Sequence, residues 1–241
     1  NVGLGTESVE EALTNVFNAK VIRMDLDTTS KKGSHEKILD AFKEHKYDIL
    51  LGTQMIAKGL DFEKVTLVGV LNGDASLNIP DFRSSERTYQ LLSQVAGRAG
   101  RRNIPGEVII QSYNTDHYSI VAAKNHDYKS FYNEEMNIRR ALKYPTFYYL
   151  TMLKISGKDY EYIYSEAIKI KNFLLKNISS QSIILGPTTA SVYKVNNVFR
   201  FQIIIKYKID EKLKETLDKV HDIYNENSKI NVDIDINPLK L

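Results

Sequence analysis

Gln90-Leu91-Leu92-Ser93-Gln94-Val95-Ala96-Gly97-Arg98-Ala99-Gly100-Arg101-Arg102 reads as the end of a helix that delivers three long polar side chains to one place. From Ser84 to Ala99 the apolar residues Leu91, Leu92, Val95 and Ala96 share one side, as in an amphipathic helix packed against a core. With the helix running through Gln94, spacings of four and three set Gln94, Arg98 and Arg101 on one face near its C-terminal end. Guanidinium forks suit phosphate oxygens, and two beside one site match the charge that develops on a transferring phosphoryl group. The same residues also suit a plain helix end, since Gly97 and Gly100 permit termination and arginines complement the helix dipole. The local pattern leaves these two readings level.

The flanking sequence alternates helices with short apolar runs. Asp48 to Gly52 and Val65 to Leu71 are nearly continuous apolar stretches, as expected for strands buried on both faces of a parallel sheet. Pro105-Gly106 resets the chain into the strand Glu107 to Gln111. Upstream, Ser8 to Phe17 predicts a helix opened by a Ser8/Glu11 capping box. Lys20 to Met24 predicts a strand ending at Asp25 and Asp27, and Ile38, Leu39 and Phe42 mark a second helix. This alternation predicts an α/β domain of parallel sheet flanked by helices over residues 1–115. Residues 116–145 read as a helical connector, stopped by Tyr144-Pro145. Residues 146–241 read β, α, β, a hairpin turning at Asn196-Asn197, α, β, the order of a small α+β domain on the split βαβ plan.

Composition narrows the function classes. The 241 residues are 42% hydrophobic and 26% charged, which excludes a disordered tail, and no apolar run approaches a membrane span. No cysteine occurs, so these residues hold no disulfide, thiolate nucleophile or Cys-ligated zinc. His35, His45, His117, His126 and His221 are dispersed and lack metal-ligand spacing, so the expected metal set is none. The net charge of +3 divides into −1 up to residue 115 and +4 beyond it, a surplus that permits contact with nucleic acid without demanding it. Asn1-Val2-Gly3-Leu4-Gly5 has no initiator Met, basic n-region or apolar h-region, and the expectation is a fragment rather than a natural start.

Two motifs together break the tie left by the helix end. Q-x-x-G-R-x-G-R over Gln94 to Arg101 resembles motif VI of superfamily-two helicases, and Gly52-Thr53-Gln54-Met55-Ile56-Ala57-Lys58-Gly59-Leu60-Asp61-Phe62 resembles their motif V. The resemblance implies a RecA-like second helicase lobe in which Thr53, Gln54 and Lys58 meet the DNA backbone. Gly59 and Asp61 would approach the nucleotide, Asp61 at the ribose, and Gln94, Arg98 and Arg101 would be catalytic, the two arginines also binding ATP. Read without the motifs, Gly52 and Gly59 are tight turns and Asp61 a solvated carboxylate.

The chain as a whole resembles the PriA family, the primosomal protein N-prime replication-restart helicases. The resemblance runs through Gly3-Leu4-Gly5-Thr6-Glu7, Ile22 to Thr29, Asp81-Phe82-Arg83 with Glu86-Arg87, Gly106 to Tyr113, Tyr144-Pro145, Leu185-Gly186-Pro187 and Asp233 to Pro238. Leu60 departs from it, standing where the family often has His. The family implies an ATP-dependent 3′–5′ DNA helicase that binds branched and single-stranded DNA at abandoned forks, in the cytoplasm with the nucleoid. Its implied partners are single-stranded-DNA-binding protein and the helicase-loading primosome proteins. ATP and Mg²⁺ would be shared with another lobe, because no G-x-x-x-x-G-K-[ST] loop occurs in these residues, and the family's zinc belongs to a cysteine-rich module they do not contain. The chain alone is therefore expected to be hydrolytically inactive.

Two alternatives stand beside this reading: a module that recognises fork DNA and partner proteins, and a RecG-like translocase, against which Asp81-Phe82-Arg83 and the C-terminal domain argue. Asp81, Arg83, Glu86 and Arg87 are expected to brace a loop more than to touch DNA. Lys194, Arg200, Lys206 and Lys208, with Tyr193, Phe199 and Tyr207, are candidates for phosphate contact and base stacking, though strand aromatics more often pack a core.

Overall fold

The computed structural model describes residues 5–31, 33–53, 56, 62, 64–97 and 105–239. They fall into two units, residues 1–76 with 86–128, and residues 77–85 with 129–241. The class is α/β, with parallel ladders in the first unit and an antiparallel sheet in the second.

The first unit starts with α1 (Thr6–Phe17), β1 (Val21–Met24), α2 (Ser34–Lys43), β2 (Ile49–Gly52) and β3 (Leu67–Val70). A 3-10 turn (Ala75–Asn78), α3 (Ser84–Ala96), β4 (Glu107–Ile110) and α4 (Tyr118–Lys124) follow. The expected capping box does not form. Gly5 occupies the N-cap position in extended conformation, so Ser8 lies inside the first turn, and no side chain caps the helix. Thr6 turns its hydroxyl outward instead, donating to Asp25 at 2.7 Å.

Strands β1 and β2 pair in parallel, as do β3 and β4, and each pair forms its own two-stranded sheet among the described residues. The expectation of a strand buried on both faces does not hold for β3, whose residues alternate between exposed and half-buried, as do those of its partner β4. The register Gly69↔Ile109 and Leu67↔Glu107 puts one face in solvent, while Val68, Val70, Val108 and Ile110 face inward. Leu92 of α3 is fully buried and approaches this inner side near Gly73 and Ile110.

The expected connector is two helices, α4 and α5 (Tyr128–Ala141), because Asn125 ends the first and His126 takes a positive φ of 53° between them. The second unit continues with β5 (Tyr149–Gly157), α6 (Tyr160–Asn177), β6 (Ile183–Val195), β7 (Val198–Tyr207), α7 (Leu213–Tyr224) and β8 (Asn231–Ile236). Its strands run antiparallel in the order β6-β7-β5-β8, so β7 lies between the two strands that α6 joins. That is the split βαβ plan read from the sequence.

Asn196 and Asn197 both adopt positive φ at the hairpin, as a two-residue primed turn requires. Gly186 has φ +96°, and a Cβ there would sit 2.6 Å from the Gln202 carbonyl oxygen, which restricts this register shift in β6 to glycine. Leu153 and Ile155 of β5, Phe201, Ile203 and Ile205 of β7, and Ile163, Ile170, Leu174, Leu217 and Val220 from the two helices make one apolar core.

Candidate functional site

In the first unit the carboxyl ends of β1 and β2 lie side by side, with Met24 opposite Gly52. Ligand sites of open parallel sheets form at such strand ends. A Cβ on Gly52 would approach the Met24 carbonyl oxygen to 2.6 Å and Ile56 Cγ2 to 2.7 Å, so the chain turns out of β2 where only hydrogen fits. Thr53 follows, exposed, with its carbonyl accepting the Ile56 N–H at 3.1 Å.

Beyond β1, Asp25 organises the neighbouring loop. Its carboxylate accepts from the Thr28 N–H at 3.0 Å and from Thr6 Oγ1 at 2.7 Å, and its own N–H donates to Thr28 Oγ1 at 2.9 Å. Arg23 Nε lies 2.9 Å from the same carboxylate, an ion pair by distance without hydrogen-bond alignment. The Thr28 and Thr6 hydrogen bonds, aided by the Arg23 charge, hold the carboxyl below its usual range although burial opposes them. Asp25 is a buried anchor whose acceptors are committed inside the loop. The sequence marked this aspartate as a strand end; only the fold shows what it holds.

Asp74 carries no signal in the sequence. It is buried just past β3, and one carboxylate oxygen accepts the N–H groups of Tyr113 and Asn114, both at 3.0 Å, tying the loop after β4 to the end of β3. Its Asn-Gly-Asp context looks like any polar turn, so nothing local distinguishes it.

Gln94 is exposed in the last turn of α3, which the sequence correctly carried through that residue. Arg98 and Arg101 lie outside the described residues, as do Gln54, Lys58, Gly59, Leu60 and Asp61. Of the eight candidate site residues in motifs V and VI, the described residues therefore include Thr53 and Gln94.

Asp81 and Arg83 belong to the second unit and do brace a loop there. Asp81 Oδ1 accepts the Arg83 N–H at 2.9 Å, and Arg83 donates through Nη2 to the Pro238 carbonyl at 2.6 Å. Phe82 between them stacks on Tyr144, and the guanidiniums of Arg83 and Arg139 lie over its ring at 4.6 and 5.2 Å. Glu86 accepts from Gln90 one turn along α3 at 3.2 Å.

The C-terminal candidates divide. Lys206 is buried, donates to the Leu142 carbonyl at 2.9 Å and sits 3.5 Å from the centre of the Tyr144 ring, so it is committed to packing. Burial and the neighbouring Lys143 charge push its ammonium pKa down. Tyr207 pairs with Tyr149 and Phe199 with Tyr160, consistent with core-edge packing. Lys194 lies over Phe199, while Tyr193, Arg200 and Lys208 are exposed. Among the described residues no group of three or more His, Asp and Glu side chains is placed to hold a metal ion, and no helix is long and apolar enough to cross a membrane.

Comparison with known proteins covers both units. The family described as helicase conserved C-terminal domain matches residues 4–103, and the family described as primosomal protein N C-terminal domain matches residues 140–239. Replication restart protein PriA of Bacillus subtilis (strain 168) is 51% identical over 240 residues, covering 98% of this chain and 30% of that protein. PriA of Chlamydia pneumoniae is 40% identical, covering 98% of this chain and 32% of its own length, and PriA of Synechocystis is 40% identical, covering 99% and 29%. The chain thus spans about a third of the length of these relatives. With one family match on the helicase half, a second on the C-terminal half and identity running through both, this chain belongs to the PriA family of replication restart proteins.

Proposed function

We propose that this chain is the second motor lobe and C-terminal domain of an ATP-dependent 3′–5′ DNA helicase that acts at stalled or branched replication forks and restarts replication by primosome assembly. The observation that carries the reading is the pairing of motif V with motif VI, supported by an exposed Thr53 at the end of β2 and an exposed Gln94 at the end of α3. In this reading residues 1–115 form the lobe, 116–145 the connector and 146–241 the DNA- and partner-binding domain. Thr53, Gln54 and Lys58 face DNA, Gly59 and Asp61 the nucleotide, and Gln94, Arg98 and Arg101 the transferring phosphate.

The donor set fits a triphosphate: one amide and two guanidiniums supply fixed donors and positive charge without a proton to lose at neutral pH. Hydrolysis of bound ATP would supply the free energy that couples lobe closure to stepping. The chain's own part is electrostatic, since arginines inserted on closure offset charge that develops on the phosphoryl oxygens. The loop that cradles phosphates and Mg²⁺ in such motors does not occur in the 241 residues, so this chain alone does not turn over ATP. Single-stranded-DNA-binding protein and helicase-loading proteins are the proposed partners, supported by the replication-restart name of the relatives.

The test is fluorescence anisotropy of the chain with a three-way fork and with single-stranded DNA across a salt series, with ATP turnover followed in the same samples. Fork-selective binding without turnover is the expected result. DNA-stimulated turnover by this chain alone would overturn the division of labour, and no binding to either DNA at low salt would remove recognition from it.

A further inference from the structure

The second unit contains two stretches without a single carboxylate, and the fold pairs them. Residues 136–158 carry Arg139, Arg140, Lys143, Lys154 and Lys158, residues 199–209 carry Arg200, Lys206 and Lys208, and neither stretch has an Asp or Glu. Strands β5 and β7 run antiparallel with Tyr149 opposite Tyr207 and Leu150 opposite Lys206, which brings the start of β5 against the end of β7. The acid-free segments therefore meet at one end of the sheet.

Four cations gather there on aromatic rings. The Arg140 guanidinium lies 4.8 Å from the centre of Phe147, Lys143 Nζ 6.0 Å and Lys208 Nζ 5.3 Å from the centre of Tyr148, and Lys206 3.5 Å from that of Tyr144. Arg140, Lys143 and Lys208 are exposed, and none of the four has a carboxylate partner among the described residues. Lys143 is close enough to Lys206 to help depress its pKa, so the like charges act on one another. Cations near the end of α5 also complement its dipole, which accounts for Arg140 and Lys143. It does not account for Lys208, which follows β7, or for the absence of any acid to balance them. Clustered like charge held on rings, solvated and without a carboxylate partner among the described residues, makes a positive potential that favours an approaching anion.

We propose that Arg140, Lys143 and Lys208 form a binding surface for the phosphodiester backbone of DNA, read without regard to sequence. The rings beneath the cations fix their stems, so less side-chain entropy is lost when a phosphate arrives. This surface rests on the DNA-binding part of the proposed function and names where the C-terminal unit would grip the strand.

The experiment uses the full-length natural protein and a fluorescent oligo(dT) strand, titrated from low to high salt. Lys143→Gln with Lys208→Gln should lower the steepness of log affinity against log salt by about 1.4, roughly 0.7 for each single-strand phosphate that is no longer neutralised. Lys143→Arg with Lys208→Arg should keep it, as should the control pair Lys176→Gln with Lys214→Gln on helix faces elsewhere. An unchanged salt dependence in the Gln pair, with wild-type binding intact, overturns this surface and leaves the DNA reading standing. Failure of the wild-type protein to bind the oligonucleotide overturns both. A poly-glutamate peptide whose binding is lost in the Gln pair, while DNA binding is kept, overturns the proposal by assigning the surface to an acidic protein segment.

Discussion

Phe82 lies flat against Tyr144, the ring centres 5.1 Å apart and the planes 11° from parallel. The guanidiniums of Arg83 and Arg139 lie over Phe82, and Lys206 sits on Tyr144, so a stacked pair of rings carries cations on each member. Both lie in segments that carry the family resemblance, yet nothing in the sequence pairs them across 62 positions.

Phe82→Ala should destabilise the second unit by about 2–4 kcal/mol, the range for removing a large aromatic together with its stacking and cation interactions. Urea unfolding followed by tyrosine fluorescence would measure it. A loss below about 0.5 kcal/mol, the scale of an ordinary surface substitution, would show that the stack contributes nothing to folding.

Lys206 gives a pH dependence of definite sign. Its folded pKa is lowered, by burial first and by Lys143 second, so the unfolded chain holds the proton more tightly. Stability should therefore rise with pH between that lowered value and the ordinary 10.5, where the unfolded chain binds more protons. The urea midpoint of wild type relative to Lys206→Met, compared from neutral to alkaline pH, should shift in favour of wild type as pH rises. A constant difference would mean that the buried ammonium titrates normally.

At the other end of the chain, Gly52→Ala should cost about 1–3 kcal/mol, because the new methyl meets backbone oxygen of Met24 that cannot swing aside. The pair β1–β2 must separate to admit it. Thermal unfolding of the chain reads the loss, and an unchanged transition would show that this strand end relaxes freely.

In the full-length natural protein, Arg98→Ala or Arg101→Ala should lower DNA-stimulated ATP turnover by about 10³, as loss of an arginine finger does elsewhere, with DNA binding retained. Turnover and anisotropy measured on one preparation separate the two effects. Equal loss of both would point to a folding defect.

Periodicity made the secondary structure legible. The run Leu91-Leu92 with Val95-Ala96 announced α3, and the alternation after Asn196-Asn197 announced β7, because each segment's apolar residues report the face it buries. The split βαβ order followed from element type alone. What escaped were relationships between distant residues: Asp74 holding the Tyr113–Asn114 loop, Asp81-Phe82-Arg83 seated in the C-terminal unit, and Lys206 turned inward from a strand that looked half exposed. No local spacing encodes a partner 155 positions away. The capping box failed for a related reason, since the neighbouring strand end recruited Thr6 and the helix began early.

The second unit is assembled from residues 77–85 and from 129 onward, and Arg83 closes it on the carbonyl of Pro238. During synthesis, the early piece leaves the ribosome long before its counterpart exists. Phe82 and Arg83 must wait through the translation of a whole sheet, their ring and charge open to the medium, until the last strand has emerged. A chain interrupted anywhere in that interval exposes an aromatic segment with no place to go, so a truncated product of this gene would carry its own mark for chaperone capture or proteolysis.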